Sequence, residues 1–311
     1  MNKEILGVKM NIEVLIERYL TQCSDIKKLE KLTLKAYTID LSQFFAFVNS
    51  KNMTTASEMD KQLVQSYIET ISKKYTVKSL KRKIASVKAF FNYLEFEDYI
   101  TVTPFRKIRL CIKEPQRLPK SLSLFDMEKL LSFLYSQPQK KKIFLRNLAV
   151  FELMFATGVR VSELCNIKMS DIDLDTQTLS ILGKGNKERL CILNNAYVIS
   201  ALRNYLEIRP AVESPYLFIN RIGKQISPQS VRFFIEDIGK KVLNKLVTPH
   251  MFRHTFATLL LEEGVDINHI KSFLGHASIT TTQIYTASTT HIQRKILTSM
   301  HPRNRIRILR E

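Results

Sequence analysis

Apolar residues in the first hundred positions recur at the three- and four-residue spacing of helices that bury one face. Three such segments lie at residues 12–20, 34–48 and 63–71, and residues 11–100 contain neither glycine nor proline. The fourth segment has the clearest apolar stripe, formed by Val77, Leu80, Ile84, Val87, Phe91 and Leu94. Its basic residues lie largely off that stripe: Lys74, Lys78, Lys81, Arg82 and Lys88. The pattern predicts a small helical bundle with one basic face.

The helical pattern breaks between residues 101 and 120, where Pro104, Pro115 and Pro119 interrupt any helix. Glu114 is the single acidic residue among six basic ones: Arg106, Lys107, Arg109, Lys113, Arg117 and Lys120. We expect an extended basic connector that suits a tether along a phosphate backbone. It divides the chain into an N-terminal domain at 1–102, a linker at 103–120 and a C-terminal domain at 121–311.

The C-terminal part is predicted to be helical with a small antiparallel sheet. Two runs of strand-like residues, 178–182 and 188–193, flank a glycine-rich turn that is typical of a hairpin. Segments with helical spacing lie on both sides of these strands. Ser123 and Asp126 are expected to cap the start of one helix, and Gly158 to end another in a left-handed turn. The predicted helices are 123–134, 143–156, 195–208, 228–243 and one that begins at Pro249.

Composition narrows the class of partner. The chain has 311 residues, of which 45% are hydrophobic, so it can bury a sizeable core. Its formal net charge of +19 favours a polyanion, with DNA or RNA as the leading choice. No apolar run reaches the roughly 18 residues of a membrane span, and the N-terminus lacks a signal-peptide core. The four cysteines (Cys23, Cys111, Cys165 and Cys191) are too scattered for a zinc motif and suggest reduced, mostly buried thiols of a cytoplasmic protein.

Two arginines stand in contexts that fix their direction. Arg160 follows the turn at Gly158 and is expected at the start of a helix, with Glu163 placed to hold its guanidinium from behind. A solvated surface pair of Arg160 and Glu163 is the alternative. Arg253 shares the first turn of the helix beginning at Pro249 with His250, so both can meet one phosphate.

The same helix leaves a second interpretation open. His250 and His254 stand four residues apart, as in a zinc site, but Met251 occupies the position of the glutamate in that motif. Phosphate binding is therefore the favoured role for His250, and His254 is expected to pack or to hydrogen-bond within the fold.

Three further residues complete a plausible cage for one phosphodiester. Lys184 lies at the tip of the predicted hairpin, where it can serve as a general acid, and Lys187 is the competing choice. Gly275 is expected to end a helix and to turn His276 out of it. Tyr285 supplies a hydroxyl that can attack phosphorus once a base or a positive charge activates it. The set predicts metal-free, covalent phosphoryl transfer on a nucleic acid.

The strings around these residues resemble those of a known family. ATGVRVSEL (156–164), GKGNKER (183–189), TPHMFRHTFAT (248–258) and LGHASITTTQIYT (274–286) look like the signature boxes of tyrosine recombinases, also called the phage-integrase family. The segments 32–47 and 117–123, together with His301-Pro302-Arg303, resemble the Xer branch. The likeness covers nearly the whole chain.

The resemblance implies a mainly α protein with an N-terminal SAM-like helical bundle and a C-terminal catalytic domain of the DNA breaking–rejoining fold, which clamp double-stranded DNA. It implies that Tyr285 forms a 3′-phosphotyrosyl bond, with His250 as base and Lys184 as acid. Arg160 and Arg253 would stabilise the transition state, and His276 would add a hydrogen bond. No cofactor or metal would be needed.

Partners follow from the same resemblance. It implies a homo- or hetero-tetramer on inverted DNA half-sites, with residues 289–300 suited to exchange between subunits. Ala287-Ser288 stands where Xer proteins commonly carry His-Val, and residues follow the His-Pro-Arg motif, so integration or excision of a mobile element and resolution of DNA dimers both stay open. The alternatives are a type IB topoisomerase and a DNA-binding protein without catalysis.

Overall fold

The computed structural model describes residues 10–109, 112, 121–137, 142–183, 188–275, 287–306 and 308, with only the backbone at 57 and 287–293. The contacts divide the chain into two compact units, Met1–Arg117 and Leu118–Glu311.

The first unit is the helical bundle that the apolar spacing predicted. Side chains of Asn11 and Asp60 cap two of its helices, accepting hydrogen bonds from the N–H groups of Glu13 and Leu63. An aromatic cluster fills the core, formed by Tyr19, Phe44, Tyr67, Phe90 and Phe91. The helices are α1 (Ile12–Asp25), α2 (Lys31–Asn49), α3 (Lys61–Ser72) and α4 (Val77–Phe96).

One carboxylate is buried in this bundle. Asp40 on α2 is fully buried and accepts hydrogen bonds from Lys83 Nζ at 3.0 Å and Ser86 Oγ at 2.9 Å on α4. Arg82, which is exposed, also pairs with Asp40. The five basic residues expected off the apolar stripe of α4 are all exposed. The predicted basic face is confirmed. Lys83 lies beside this face, but it is buried and binds the carboxylate of Asp40.

The start of the predicted connector is folded. Pro104–Lys107 form a short 3-10 helix, and Phe105 packs against Phe91 with ring centroids 5.8 Å apart. Ile108 and Ile112 pack on the same core. Residues 104–107 are therefore helical and not extended, because Phe105, beside the basic residues Arg106 and Lys107, gives them apolar surface to bury. Residues 113–120 lie outside the described part of the chain.

The second unit is built around one buried helix. From Leu145 onward α6 is buried almost throughout, and it packs against α5, α7, α8 and α10. The elements are α5 (Leu124–Ser136), α6 (Lys142–Thr157), α7 (Val161–Asn166), β1 (Ile172–Asp173), β2 (Thr178–Leu182), β3 (Glu188–Ile192), α8 (Ala196–Ile208), α9 (Pro228–Leu243), α10 (Pro249–Glu262), α11 (Ile267–Leu274) and α12 (Ala287–Met300).

The sheet is antiparallel in the order β1-β2-β3, with Leu179 opposite Cys191 and Ile181 opposite Arg189. The predicted pair β2 and β3 is confirmed. Sequence analysis missed β1, because two residues are too few to show a period of two. The predicted helices of this unit through α10 are also confirmed.

Two glycines make the turns that the site requires. Gly158 ends α6 with φ of +59°, and a Cβ there would lie 2.7 Å from Leu274 Cδ2 and 2.8 Å from Phe256 Cδ1. Gly275 ends α11 with φ of +64°. Both positions therefore demand glycine for conformation, and Gly158 also for space.

The composition led to expectations about the cysteines and about membrane-spanning segments. Cys23, Cys165 and Cys191 are free and buried, whereas Cys111 lies outside the described residues. Within the described ranges, none of the helices has the length and apolar character needed to cross a bilayer.

Candidate active site

Arg160 stands at the N-cap of α7, two residues after the turn at Gly158. Its guanidinium Nη1 donates to Glu163 Oε1 at 2.6 Å, and its backbone N–H donates to Glu163 Oε2 at 3.1 Å. The Arg160 side chain keeps 38% of its surface exposed. One carboxylate thus fixes both the start of the helix and the direction of the guanidinium.

Glu163 is buried and shared between two arginines. Its Oε2 also accepts a hydrogen bond at 2.7 Å from Nη2 of Arg189, whose side chain is only 4% exposed. Burial alone would raise the pKa of the Glu163 carboxyl, but the hydrogen bonds and charges of Arg189 and Arg160 hold that pKa below its usual value. A solvated surface pair of Arg160 and Glu163 is therefore the wrong interpretation.

Arg253 is held by backbone carbonyls. It is 6% exposed on the first turn of α10, with Nη1 donating to Gly158 O at 2.9 Å and Nη2 donating to Leu274 O at 2.6 Å. These bonds tie α10 to the two glycine turns. Burial, then the positive charge of nearby Arg160, lowers the pKa of the Arg253 guanidinium to about 10.

The two arginines open into one groove. Arg160, His250 and Arg253 line a depression of about 430 Å³, together with Ser162, Arg232, Glu236 and Thr248 among others. His250 is exposed, and its ring centroid lies 5.5 Å from that of His254. The structure therefore brings three of the six predicted site residues to one place. No group of three His, Cys, Asp or Glu side chains suited to a metal occurs among the described residues.

Lys184, His276 and Tyr285 lie outside the described residues, so their placement stays a prediction. Their chain neighbours are informative for two of them. Leu274 O accepts from Arg253, and Gly275 then turns the chain toward position 276. Helix α12 begins at Ala287, two residues after Tyr285.

Arg189 is the residue of this site that sequence analysis left out. It stands in the string GKGNKER but was given no role. The signal was available: Arg189 occupies an inward position on β3, alternating with exposed Glu188 and half-buried Leu190. A charged residue at an inward strand position requires a buried partner, and Glu163 is that partner.

Comparison with known families agrees with this geometry. Residues 120–291 match the family model described as "Phage integrase family", and residues 16–98 match "Phage integrase, N-terminal SAM-like domain". Together the matches span both compact units.

Individual relatives give the same result. A tyrosine recombinase of Agathobacter rectalis is 42% identical, covering 94% of this chain and 98% of the relative. Tyrosine recombinase XerD of Listeria innocua is 35% identical, covering 89% and 95%. In fold, the chain is similar to a Tn1549 transposon integrase in complex with transposon right end DNA, with TM-score 0.70, 18% identity and coverage of 93% and 100%. With both domains matched and these relatives aligned almost end to end, the chain belongs to the phage integrase family of tyrosine recombinases.

Proposed function

We propose that the chain is a site-specific DNA recombinase that cuts and rejoins strands through a covalent 3′-phosphotyrosyl intermediate. The proposal rests on one groove. It is lined by the buried guanidinium of Arg253, the half-exposed guanidinium of Arg160 and the imidazole of His250. A phosphodiester is the ligand that this set of donors fits, since arginines grip non-bridging oxygens by charged hydrogen bonds.

Electrostatics favours the same ligand. Burial lowers the pKa of Arg253 most, and the positive charge of Arg160 lowers it further, with Glu163 opposing the shift. Arg160 and Arg189 both lie close enough to Arg253 to lower its pKa, and Glu163 is the carboxylate that Arg160 and Arg189 share. The pentacoordinate transition state of phosphoryl transfer gains negative charge on its equatorial oxygens, so the groove stabilises it more than it stabilises the bound substrate.

The chemistry takes two balanced steps. The Tyr285 hydroxyl attacks phosphorus and gives its proton to His250, while the P–O5′ bond breaks and Lys184 protonates the leaving 5′-oxygen. His276 donates a hydrogen bond to the phosphate. In the second step a 5′-hydroxyl of another duplex attacks phosphorus and gives its proton to Lys184, while the P–O bond to Tyr285 breaks and His250 returns its proton to the tyrosine. The number of phosphodiester bonds is unchanged, so the cycle requires no cofactor.

The wider assembly is part of the proposal. Domains 1–102 and 121–311, joined by the linker at 103–120, clamp DNA, and the net charge of +19 supports this contact. Subunits form a tetramer on inverted half-sites and exchange a C-terminal segment that includes α12, in the cytoplasm. Solved structures of similar fold include a lambda integrase dimer bound to a core site and XerH bound to its difH substrate. Relatives named XerC, XerD and integrase support dimer resolution and integration alike.

A covalent-trapping assay tests the proposal. A binding site is first selected from randomised duplexes. Copies of this site are then prepared with a nick at successive positions. In the copy whose nick lies next to the cleavage position, the short leaving strand dissociates after cleavage and the protein stays attached to the DNA. The wild-type chain is expected to form a denaturant-resistant DNA adduct, with EDTA present as well as without it. Tyr285→Phe should bind the same duplex and form no adduct. An adduct with Tyr285→Phe would refute the nucleophile, and loss of activity in EDTA restored by metal would refute the mechanism.

The same duplex separates recombination from relaxation. A recombinase transfers the cut strand to a second duplex that carries the site, whereas a topoisomerase reseals it within one duplex and relaxes supercoils. Strand transfer without general relaxation is the expected result. Binding without any adduct would indicate a DNA-binding protein that has lost catalysis.

A further inference from the structure

We propose that Arg189 is a positioning residue for the phosphate site, acting from behind the groove through Glu163 and the end of α11. The inference rests on the proposed function and adds to it a residue that the sequence-predicted catalytic set lacks. It is carried by contacts that reach two separate sequence segments, at Glu163 and at residues 273–275, from one buried guanidinium.

The first contact sets Arg160. Arg189 Nη2 donates to Glu163 Oε2 at 2.7 Å, while Glu163 Oε1 accepts from Arg160 Nη1 at 2.6 Å. The carboxylate is thus held between two guanidinium groups, one on each oxygen. Without Arg189, the buried carboxylate of Glu163 would lose a charged partner and would have to turn or admit water, and Arg160 would move with it.

The second contact sets the end of α11. Arg189 Nε donates to Phe273 O at 3.2 Å, and Arg253 Nη2 donates to the next carbonyl, Leu274 O, at 2.6 Å. Carbonyls in the last turn of a helix have no partner inside the helix and carry partial negative charge. Two arginines therefore cap α11 side by side, and one of them lines the groove.

The third contact is with Gly275. A Cβ at Gly275 would lie 3.1 Å from both Cδ and Nη1 of Arg189. The backbone at Gly275 therefore lies directly against the Arg189 side chain. Arg189 therefore links the orientation of the Arg160 side chain to the position of the end of α11. Strand β3 of the hairpin holds Arg189 between them.

Arg189→Lys is the test, with Arg189→Ala beside it. Lysine keeps the positive charge but cannot donate in two fixed directions to Glu163 and to Phe273 O. We expect single-turnover cleavage of the nicked duplex to fall about 10²-fold, as small displacements of catalytic groups do, while the DNA dissociation constant stays near the wild-type value. Millimolar guanidinium should restore cleavage to Arg189→Ala. Arg305→Ala, which removes an exposed arginine paired with Glu263, is the matched control and should cleave normally.

Coupling and folding controls keep the test decisive. Because Arg189 acts through Glu163, the losses caused by Arg189→Lys and Glu163→Gln should be far from additive in a double-mutant cycle. Folded Arg189 variants that cleave at the wild-type rate would overturn the proposal, as would additive losses or losses wholly explained by weaker DNA binding. Should Arg189→Ala fail to fold, the lysine variant alone decides.

A readout independent of catalysis separates this inference from the proposed function. In NMR spectra of the DNA-free protein, Arg189→Lys should shift the Nε–Hε resonance of Arg160, and Arg305→Ala should not. If the wild-type chain forms no DNA adduct, the proposed function fails while this shift still tests the positioning role. An unshifted Arg160 resonance would contradict that role whatever the activity.

Discussion

Two buried arginines of the second unit face opposite electrostatic conditions. Arg303 is fully buried, and it binds both oxygens of buried Glu152 at 2.7 and 2.8 Å and lies over the Tyr197 ring. Burial alone would lower its pKa, but Glu152 raises it. Arg253 is nearly as buried, yet it donates to two backbone carbonyls near positively charged Arg160, and its pKa is lowered to about 10.

The difference separates a structural arginine from one suited to bind an anion. The Arg303–Glu152 pair is complete, and it fastens residues 301–306 to α6, with His301 donating to Ala156 O at 2.8 Å. The Arg253 site has an excess of positive charge that a phosphate would balance. Replacing Arg303 should therefore damage the fold, and replacing a groove arginine should damage the chemistry.

The largest effect is expected from Arg303→Met. The substitution keeps much of the side-chain volume but leaves the Glu152 charge buried without its partner, which typically costs about 3–5 kcal/mol. Urea unfolding followed by circular dichroism measures the loss, with Arg305→Met as an exposed control. A loss no greater than that of the control would show that the pair contributes little to the fold.

Arg160→Ala should have the opposite profile. Its side chain is 38% exposed and Glu163 keeps its bond to Arg189, so the free energy of unfolding should fall much less than in Arg303→Met, whereas the cleavage rate should fall about 10²–10³-fold. Single-turnover cleavage and urea unfolding, measured on one preparation, check both halves. Wild-type cleavage by this variant would remove Arg160 from the phosphate site.

The pH dependence of the free energy of unfolding tests the segment that contains Arg303, because His301 is buried in the same segment. Burial lowers the pKa of His301 from 6.5 to about 4, so the folded state stays neutral over a range in which the unfolded chain takes up a proton. Stability should be constant above about pH 6.5 and should fall by about 3 kcal/mol as the pH drops toward 4. Unfolding free energies across this range measure the loss. His301→Asn should flatten the part due to this side chain, and an equal slope in both proteins would contradict the assignment.

Salt dependence should show the smallest difference. Each phosphate contact releases counterions, so Arg160→Ala should reduce the slope of log K against log salt by about 1. Arg303→Met should leave the slope unchanged, because its guanidinium is buried in the protein. Fluorescence titrations of the selected duplex at several salt concentrations would show this, and equal slopes for the wild type and Arg160→Ala would remove the phosphate contact.

The sequence predicted the features that depend on residues close together along the chain, and it missed contacts between residues that are far apart in it. The helices and the turns at Gly158 and Gly275 follow from spacing and from glycine, and Arg160, His250 and Arg253 follow from their immediate neighbours. The contact between Arg189 and Glu163 spans 26 positions and that between Arg303 and Glu152 spans 151, and no periodicity reports such distances. The choice between Lys184 and Lys187 stays a prediction because both residues lie outside the described part of the chain.

The most direct test of the central claim replaces one non-bridging oxygen of the scissile phosphate with a methyl group. The resulting methylphosphonate is neutral, so it no longer requires the full positive charge of the groove. Arg253→Ala should cleave methylphosphonate DNA far faster than ordinary DNA, relative to the wild type, while Arg303→Met should show no such preference. An Arg253→Ala protein that is equally slow on both DNAs would contradict the proposal that this arginine holds the phosphate.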